Sequence, residues 1–119
     1  MKKISSIYVE DMIEAIDLVT SYVKGVPEVD FSRDQKLQDA VIRRLAVIGE
    51  AANKLKKDIK NLAPDIPWHT IIGFRNVVIH DYSGISMGLV WKIMQRDLPA
   101  LEPQLKILLN KLLVIEKEY

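Results

Sequence analysis

The chain has 119 residues, 49% of them apolar, with 17 basic against 16 acidic side chains for a formal charge of +1, and it contains no cysteine. That length supports one domain over residues 1–119 with a moderate core, and so small a charge argues against a protein that coats nucleic acid with its whole surface. Disulfides and thiolate metal sites are excluded. No apolar run approaches the roughly 18 residues of a membrane span, and Glu10 and Asp11 interrupt the stretch a secretory signal needs, so a cytoplasmic protein without membrane attachment is expected.

Ile4, Ile7, Met12 with Ile13, Ile16 and Val19 recur at roughly helical spacing until Gly25-Val26-Pro27, which predicts a first helix over about Ile4 to Lys24. Ser32 followed by Gln35 resembles a capping box and predicts the start of a second helix. Its apolar positions Leu37, Val41, Leu45, Ile48, Ala52, Leu55 and Ile59 alternate steps of three and four, so this long helix should line the core. Arg43, Val47, Glu50 and Lys54 lie on a different face. Ala46, Gly49, Ala51 and Ala52 allow another backbone to approach closely at mid-helix, either within the chain or from a two-fold partner. The lysines at 54, 56, 57 and 60, with Arg43 and Arg44, form the one candidate basic patch, and a solvated helix face explains the lysines taken alone.

Asn61 to Pro67 is a turn-rich joint, with Pro67 suited to a first helical position, so a third helix is expected from about Trp68 to Ile79. Val77-Val78-Ile79 also fits a strand, but no companion strands exist to build a sheet. After a turn over Asp81 to Ser86, Leu89, Val90, Ile93 and Met94 predict a fourth helix, interrupted around Pro99 and Pro103. A last helix carries Leu105, Leu108, Leu109, Leu112 and Leu113 and frays from Glu116 to Tyr119. The expected fold is an all-α bundle of about five helices.

The chemistry concentrates in Phe74-Arg75-Asn76-Val77-Val78-Ile79-His80-Asp81-Tyr82. Arg75 offers a rigid fork of donors suited to phosphate, His80 exchanges a proton near neutral pH, and Asn76 and Tyr82 can orient either. On a helix Arg75 and Tyr82 fall near one stripe, with Asn76 and His80 on the next. The same residues also fit structural roles: Arg75 pairing with a carboxylate, His80 as a cation at a helix C-terminus, Tyr82 as a half-buried turn aromatic, and Asn76 and Asp81 as surface and turn residues. His69, beside Trp68, has no evident partner and is read as structural. Two histidines eleven positions apart supply no metal-ligand set, glycine-rich phosphate loops are missing, and no serine sits in a nucleophile elbow.

Arg75-x-x-x-x-His80-x-Tyr82, preceded by Gly73-Phe74, resembles the signature of HepT-like toxins of the HEPN superfamily. Arg43-Arg44-Leu45-Ala46-Val47-Ile48-Gly49-Glu50-Ala51-Ala52 is similar to that family's second-helix block, and Leu89-Val90-Trp91 and Asp97-Leu98-Pro99-Ala100-Leu101 resemble its C-terminal helices. The resemblance implies an all-α homodimer whose two Arg/His pairs meet in a cleft, cutting RNA as a metal-independent endoribonuclease with no cofactor. It assigns His80 to proton transfer at a ribose 2′-hydroxyl and Arg75 to the scissile phosphate, with Asn76, Asp81 and Glu50 in support. It also implies, as partner, a minimal nucleotidyltransferase antitoxin that attaches AMP to Tyr82. The alternative is a non-catalytic helical dimer that binds such a transferase or serves as its substrate, and growth arrest on expressing the chain alone separates the two.

Overall fold

The computed structural model describes residues 3–75 and 86–117, and every regular element among them is helical. Helix α1 runs Lys3–Val23, α2 is a single turn at Glu28–Phe31, and α3 runs Gln35–Lys54. A second single turn, α4, covers Lys57–Lys60. Helix α5, Trp68–Ile72, tightens into a 3₁₀ turn at Gly73–Arg75. Helix α6, Met87–Lys92, passes through a π-helical stretch at Ile93–Asp97 into α7, Leu98–Lys117. The expected all-α bundle is borne out.

Three long helices make the core because each carries an apolar stripe at helical spacing. Val9, Met12, Ile16 and Val19 of α1, Val41, Leu45, Ile48 and Ala52 of α3, and Leu98, Leu101, Leu105, Leu108 and Leu112 of α7 are buried in one cluster. Each such aliphatic side chain contributes about 1.5–3 kcal/mol by leaving water. Helix α1 packs most extensively on α3 and next on α7. It ends where Gly25 takes φ +73°, a left-handed conformation that a side chain disfavours. Near its other end the Ser6 amide donates to Glu116 Oε1 of α7 at 3.2 Å, tying the two helices together.

Phe31 fixes the connection from α1 to α3. It is fully buried, its ring lies 5.5 Å from that of Trp91 in α6, and its carbonyl accepts from the buried Gln38 Nε2 at 2.9 Å. That amide contact satisfies polar atoms which would otherwise be costly to bury.

Several expected boundaries are corrected. The cap of α3 is Asp34, whose side chain accepts from the Leu37 amide at 3.0 Å; Ser32 Oγ instead donates to the Val29 carbonyl, closing the α2 turn. Helix α3 stops at Lys54 because Leu55 turns extended, at ψ 137°, and Ile59 is carried by the separate turn α4. Pro67 occupies the N-cap of α5 and not its first helical position. The third helix was expected to reach Ile79; the regular α-helix gives way to the 3₁₀ turn at Gly73, and residues 76–79 lie outside the described residues.

The helix also runs through Pro99 and Pro103, where an interruption was expected. Upstream of Pro99 the backbone widens, and the Leu98 amide donates to the Ile93 carbonyl five residues back. Proline lacks an amide hydrogen and crowds the carbonyl four residues before it, here Gln95, and a widened turn relieves that crowding. Both prolines are exposed, which leaves the freed carbonyls open to water. The last helix holds its form to Lys117, past the expected fraying at Glu116, and residues 118–119 lie outside the described residues.

Candidate active site

The candidate site begins where the 3₁₀ turn meets the middle of α3. Ile71 and Phe74 point into the core, and Ile72 packs at its edge. The joint before α5 is pinned from inside: Trp68 Nε1–H is shared between the carbonyls of Ala63, at 3.1 Å, and Lys60, at 3.3 Å. Lys111 Nζ of α7 donates to the Leu62 carbonyl at 3.0 Å. Arg75 closes the turn, half-buried.

This turn lies against α3 at Gly49. A methyl group built on Gly49 would stand 2.5 Å from the Arg75 amide nitrogen, 3.0 Å from the Ile71 carbonyl oxygen and 3.1 Å from that of Ile72. All three are backbone atoms, and none can rotate away. Of the small residues that the sequence marks at mid-helix, Ala46, Gly49, Ala51 and Ala52 are all buried within one chain, and at Gly49 the approaching backbone is the chain's own. The choice between intrachain packing and a partner helix is settled there for the chain itself.

Glu50, one residue further along α3, is exposed, and no ion pair or hydrogen bond joins it to Arg75. Among the described residues the Arg75 guanidinium has no such partner, and its fork of donors is of the kind that suits an oxyanion. Asn76, His80, Asp81 and Tyr82, the other site residues read from the sequence, lie outside the described residues.

Of the basic patch, Arg43, Lys54, Lys56 and Lys57 are exposed and Arg44 and Lys60 half-buried. Lys54 Nζ sits 5.6 Å above the Tyr8 ring, a cation–π contact that joins α3 to α1. His69 is exposed on α5. The opposite sign collects between α1 and α7, where a cleft of about 400 Å³ has Glu10, Glu14 and Asp17 over a floor of Ile13, Leu18 and Leu109. Its carboxylates repel a polyphosphate chain, so that cleft is no RNA surface. Beside it the Glu102 carboxyl is pushed above the ordinary carboxylate range by hydrogen bonding to Asp17, then by burial and by the Asp17 charge, with Lys106 opposing. Glu102 Oε2 is buried with no hydrogen-bond partner among the described residues.

A family model described as Ribonuclease HepT-like matches residues 12–108. The chain belongs to that family. The family resemblance read from the sequence is thereby borne out, and the matched span takes in the α3 seat, the turn and the first half of α7. Among relatives, a "Probable ribonuclease HepT" of Thermococcus cleftensis is 39% identical over 102 residues, covering 86% of this chain and 93% of that protein. A "Putative RNase" of Caldanaerobacter subterraneus is 34% identical over 104 residues, covering 87% and 93%. A Methanocaldococcus jannaschii protein named "Gamma-glutamylcyclotransferase and putative RNase" is 35% identical over 112 residues, which are 94% of this HepT-like chain but only 50% of that protein. No solved structure matches.

The sequence marked Gly49 as small without disclosing what lies against it. The signal was the run of small residues inside an otherwise bulky helix; its partner, the turn 22 to 26 positions further on, is visible only in three dimensions.

Proposed function

We propose that this HepT-like ribonuclease is the toxin of a two-component pair, a metal-independent endoribonuclease that works as a homodimer and is silenced by a minimal nucleotidyltransferase antitoxin. Ribonuclease activity goes with the family; the observation that carries the finer reading is that the span matched by the family, residues 12–108, contains Arg75-x-x-x-x-His80-x-Tyr82. The Arg75 guanidinium, without a partner among the described residues and at the end of a closely seated turn, supports it.

In this reading His80 takes the proton from a ribose 2′-hydroxyl, the 2′-oxygen attacks the adjacent phosphorus, and the bond to the 5′-oxygen breaks. The departing 5′-oxygen picks up a proton, leaving a 2′,3′-cyclic phosphate and a 5′-hydroxyl. Arg75 holds the non-bridging oxygens as charge builds on them, and Asn76 orients His80 or the phosphate. AMP attached to Tyr82 adds negative charge and bulk beside those donors and competes with RNA.

The test is cleavage of single-stranded RNA by the purified protein in EDTA. Arg75→Ala and His80→Ala should each lose about 10²- to 10⁴-fold in rate while keeping the helical circular dichroism signal. An activity that EDTA abolishes and His80→Ala retains would overturn the mechanism. Intact-mass measurement after co-expression with the transferase should show whole AMP units on wild type and none on Tyr82→Phe; equal modification and silencing of both would leave simple occlusion as the better account.

A further inference from the structure

The close approach at Gly49 does more than fill space. We propose that Gly49 is a positioning residue for Arg75: by carrying no side chain it lets the backbone of the 3₁₀ turn rest on α3, and so fixes where the guanidinium is presented. The role rests on the ribonuclease reading above. Three observations meet here. The atom nearest to a methyl group at 49 is the amide nitrogen of Arg75 itself, at 2.5 Å, where ordinary contact begins at 3.4 Å. The Ile71 and Ile72 carbonyl oxygens, at 3.0 and 3.1 Å, block the same methyl from the other side. Phe74, next to Arg75, is buried at 6% exposure, so the turn is pressed onto α3 by its own side chain.

Alanine at 49 therefore has one way to be accommodated. Helix α3 is held in the core along its length by Leu45, Ile48 and Ala52, whereas the short turn is held by Phe74 and by Ile71 just before it, so it is the turn that lifts. Relief needs roughly 1 Å, and a displacement of that size at a group that must meet developing charge costs about 10²-fold in rate. The loss should fall on kcat, because most of the affinity for a polyanion comes from contacts elsewhere along its backbone.

Gly73 supplies the control. It lies in the same turn, and a methyl group there meets nothing within 4 Å.

The experiment compares Gly49→Ala and Gly73→Ala for cleavage of a random-sequence single-stranded RNA pool, with amide and Arg Nε spectra of both proteins. Gly49→Ala is expected to lower kcat about 10²-fold with KM changed less than about threefold, and to shift the Arg75 resonances while those of α1 and α7 stay in place. Gly73→Ala should keep wild-type kcat. In an Arg75→Lys background Gly49→Ala should cost little more, because the group it positions is already altered.

Phe74→Leu, which leaves Gly49 intact and only loosens the turn, should also lower kcat at unchanged KM. This variant decides the matter if Gly49→Ala does not fold, and a Phe74→Leu protein with wild-type kcat then overturns the proposal. So does a folded Gly49→Ala protein with wild-type kcat, or a loss that multiplies undiminished in the Arg75→Lys background. If wild type itself leaves RNA intact, the ribonuclease reading fails and the spectra decide this inference alone: unmoved Arg75 resonances in Gly49→Ala overturn it.

Discussion

At the scale of single residues, two carboxylates face each other between α1 and α7, whereas Arg75 has no acidic partner among the described residues. Glu102 and Asp17 share hydrogen bonding across α1 and α7, and the Glu102 carboxyl holds its proton more tightly folded than unfolded. A group whose folded value is raised stabilises the protein fully below its unfolded value and loses that contribution as pH rises through the folded one. Glu102→Gln, neutral at every pH, should therefore melt above wild type near pH 7, with the gap closing in acid. The effect should stay under about 1 kcal/mol, since Asp17 is exposed and water screens the pair. Thermal unfolding of both proteins from acid to neutral pH checks it; a gap that widens in acid contradicts the assignment. Nothing in the spacing of positions 17 and 102 announces this pair. Arg75, by contrast, is singled out in the sequence through its neighbours in the motif, although each of those residue types taken alone also fits a structural role.

At the scale of elements, periodicity located the helices and local hydrogen bonding decided their ends. Ser32 and Gln35 satisfy the capping-box pattern, but Asp34 makes the bond, and an aspartate accepts from a helix amide as well as serine does. Asp34→Ala should cost about 1 kcal/mol, read as a lower melting midpoint, whereas Ser32→Ala should cost less because its hydroxyl serves only an exposed turn. Equal losses would return the cap to Ser32. The seam Leu45–Ile48–Ala52–Leu55–Ile59 ran on past the true end of α3, since a one-turn helix keeps Ile59 against the core after the backbone has broken. The π stretch left a fainter trace. Buried Val90, Met94 and Leu98 step by four and four, more than an α-helix repeats, and Pro99 follows at once. Proline was read as a break because its missing hydrogen bond is certain; the turn that absorbs it is set by tertiary packing.

At the scale of the whole molecule, charge is divided although the total is nearly zero. Acidic groups line the cleft between α1 and α7, while Arg43, Arg44 and Arg75 belong to α3 and the turn seated on it. A homodimer that brings two Arg75 and His80 pairs to one cleft would join two electropositive faces and leave the acidic ones outside, an isologous contact of the kind a two-fold axis imposes. Light scattering at micromolar concentration should return twice the 13.6 kDa chain mass. A monomer at that concentration sinks the shared cleft.

The bond from Ser6 to Glu116 spans 110 positions, whereas α1 and α3 are joined through a short link over residues 24–34. Closing the longer loop costs about 2 kcal/mol more in chain entropy. During synthesis, then, α1 and α3 are the first long helices able to meet. The leucines of α7 arrive as the closing layer over a pair already in place. Until α7 docks, the seat at Gly49 lies on a core still open along one side, so the platform beneath the arginine is complete only once the C-terminal leucines have closed over it.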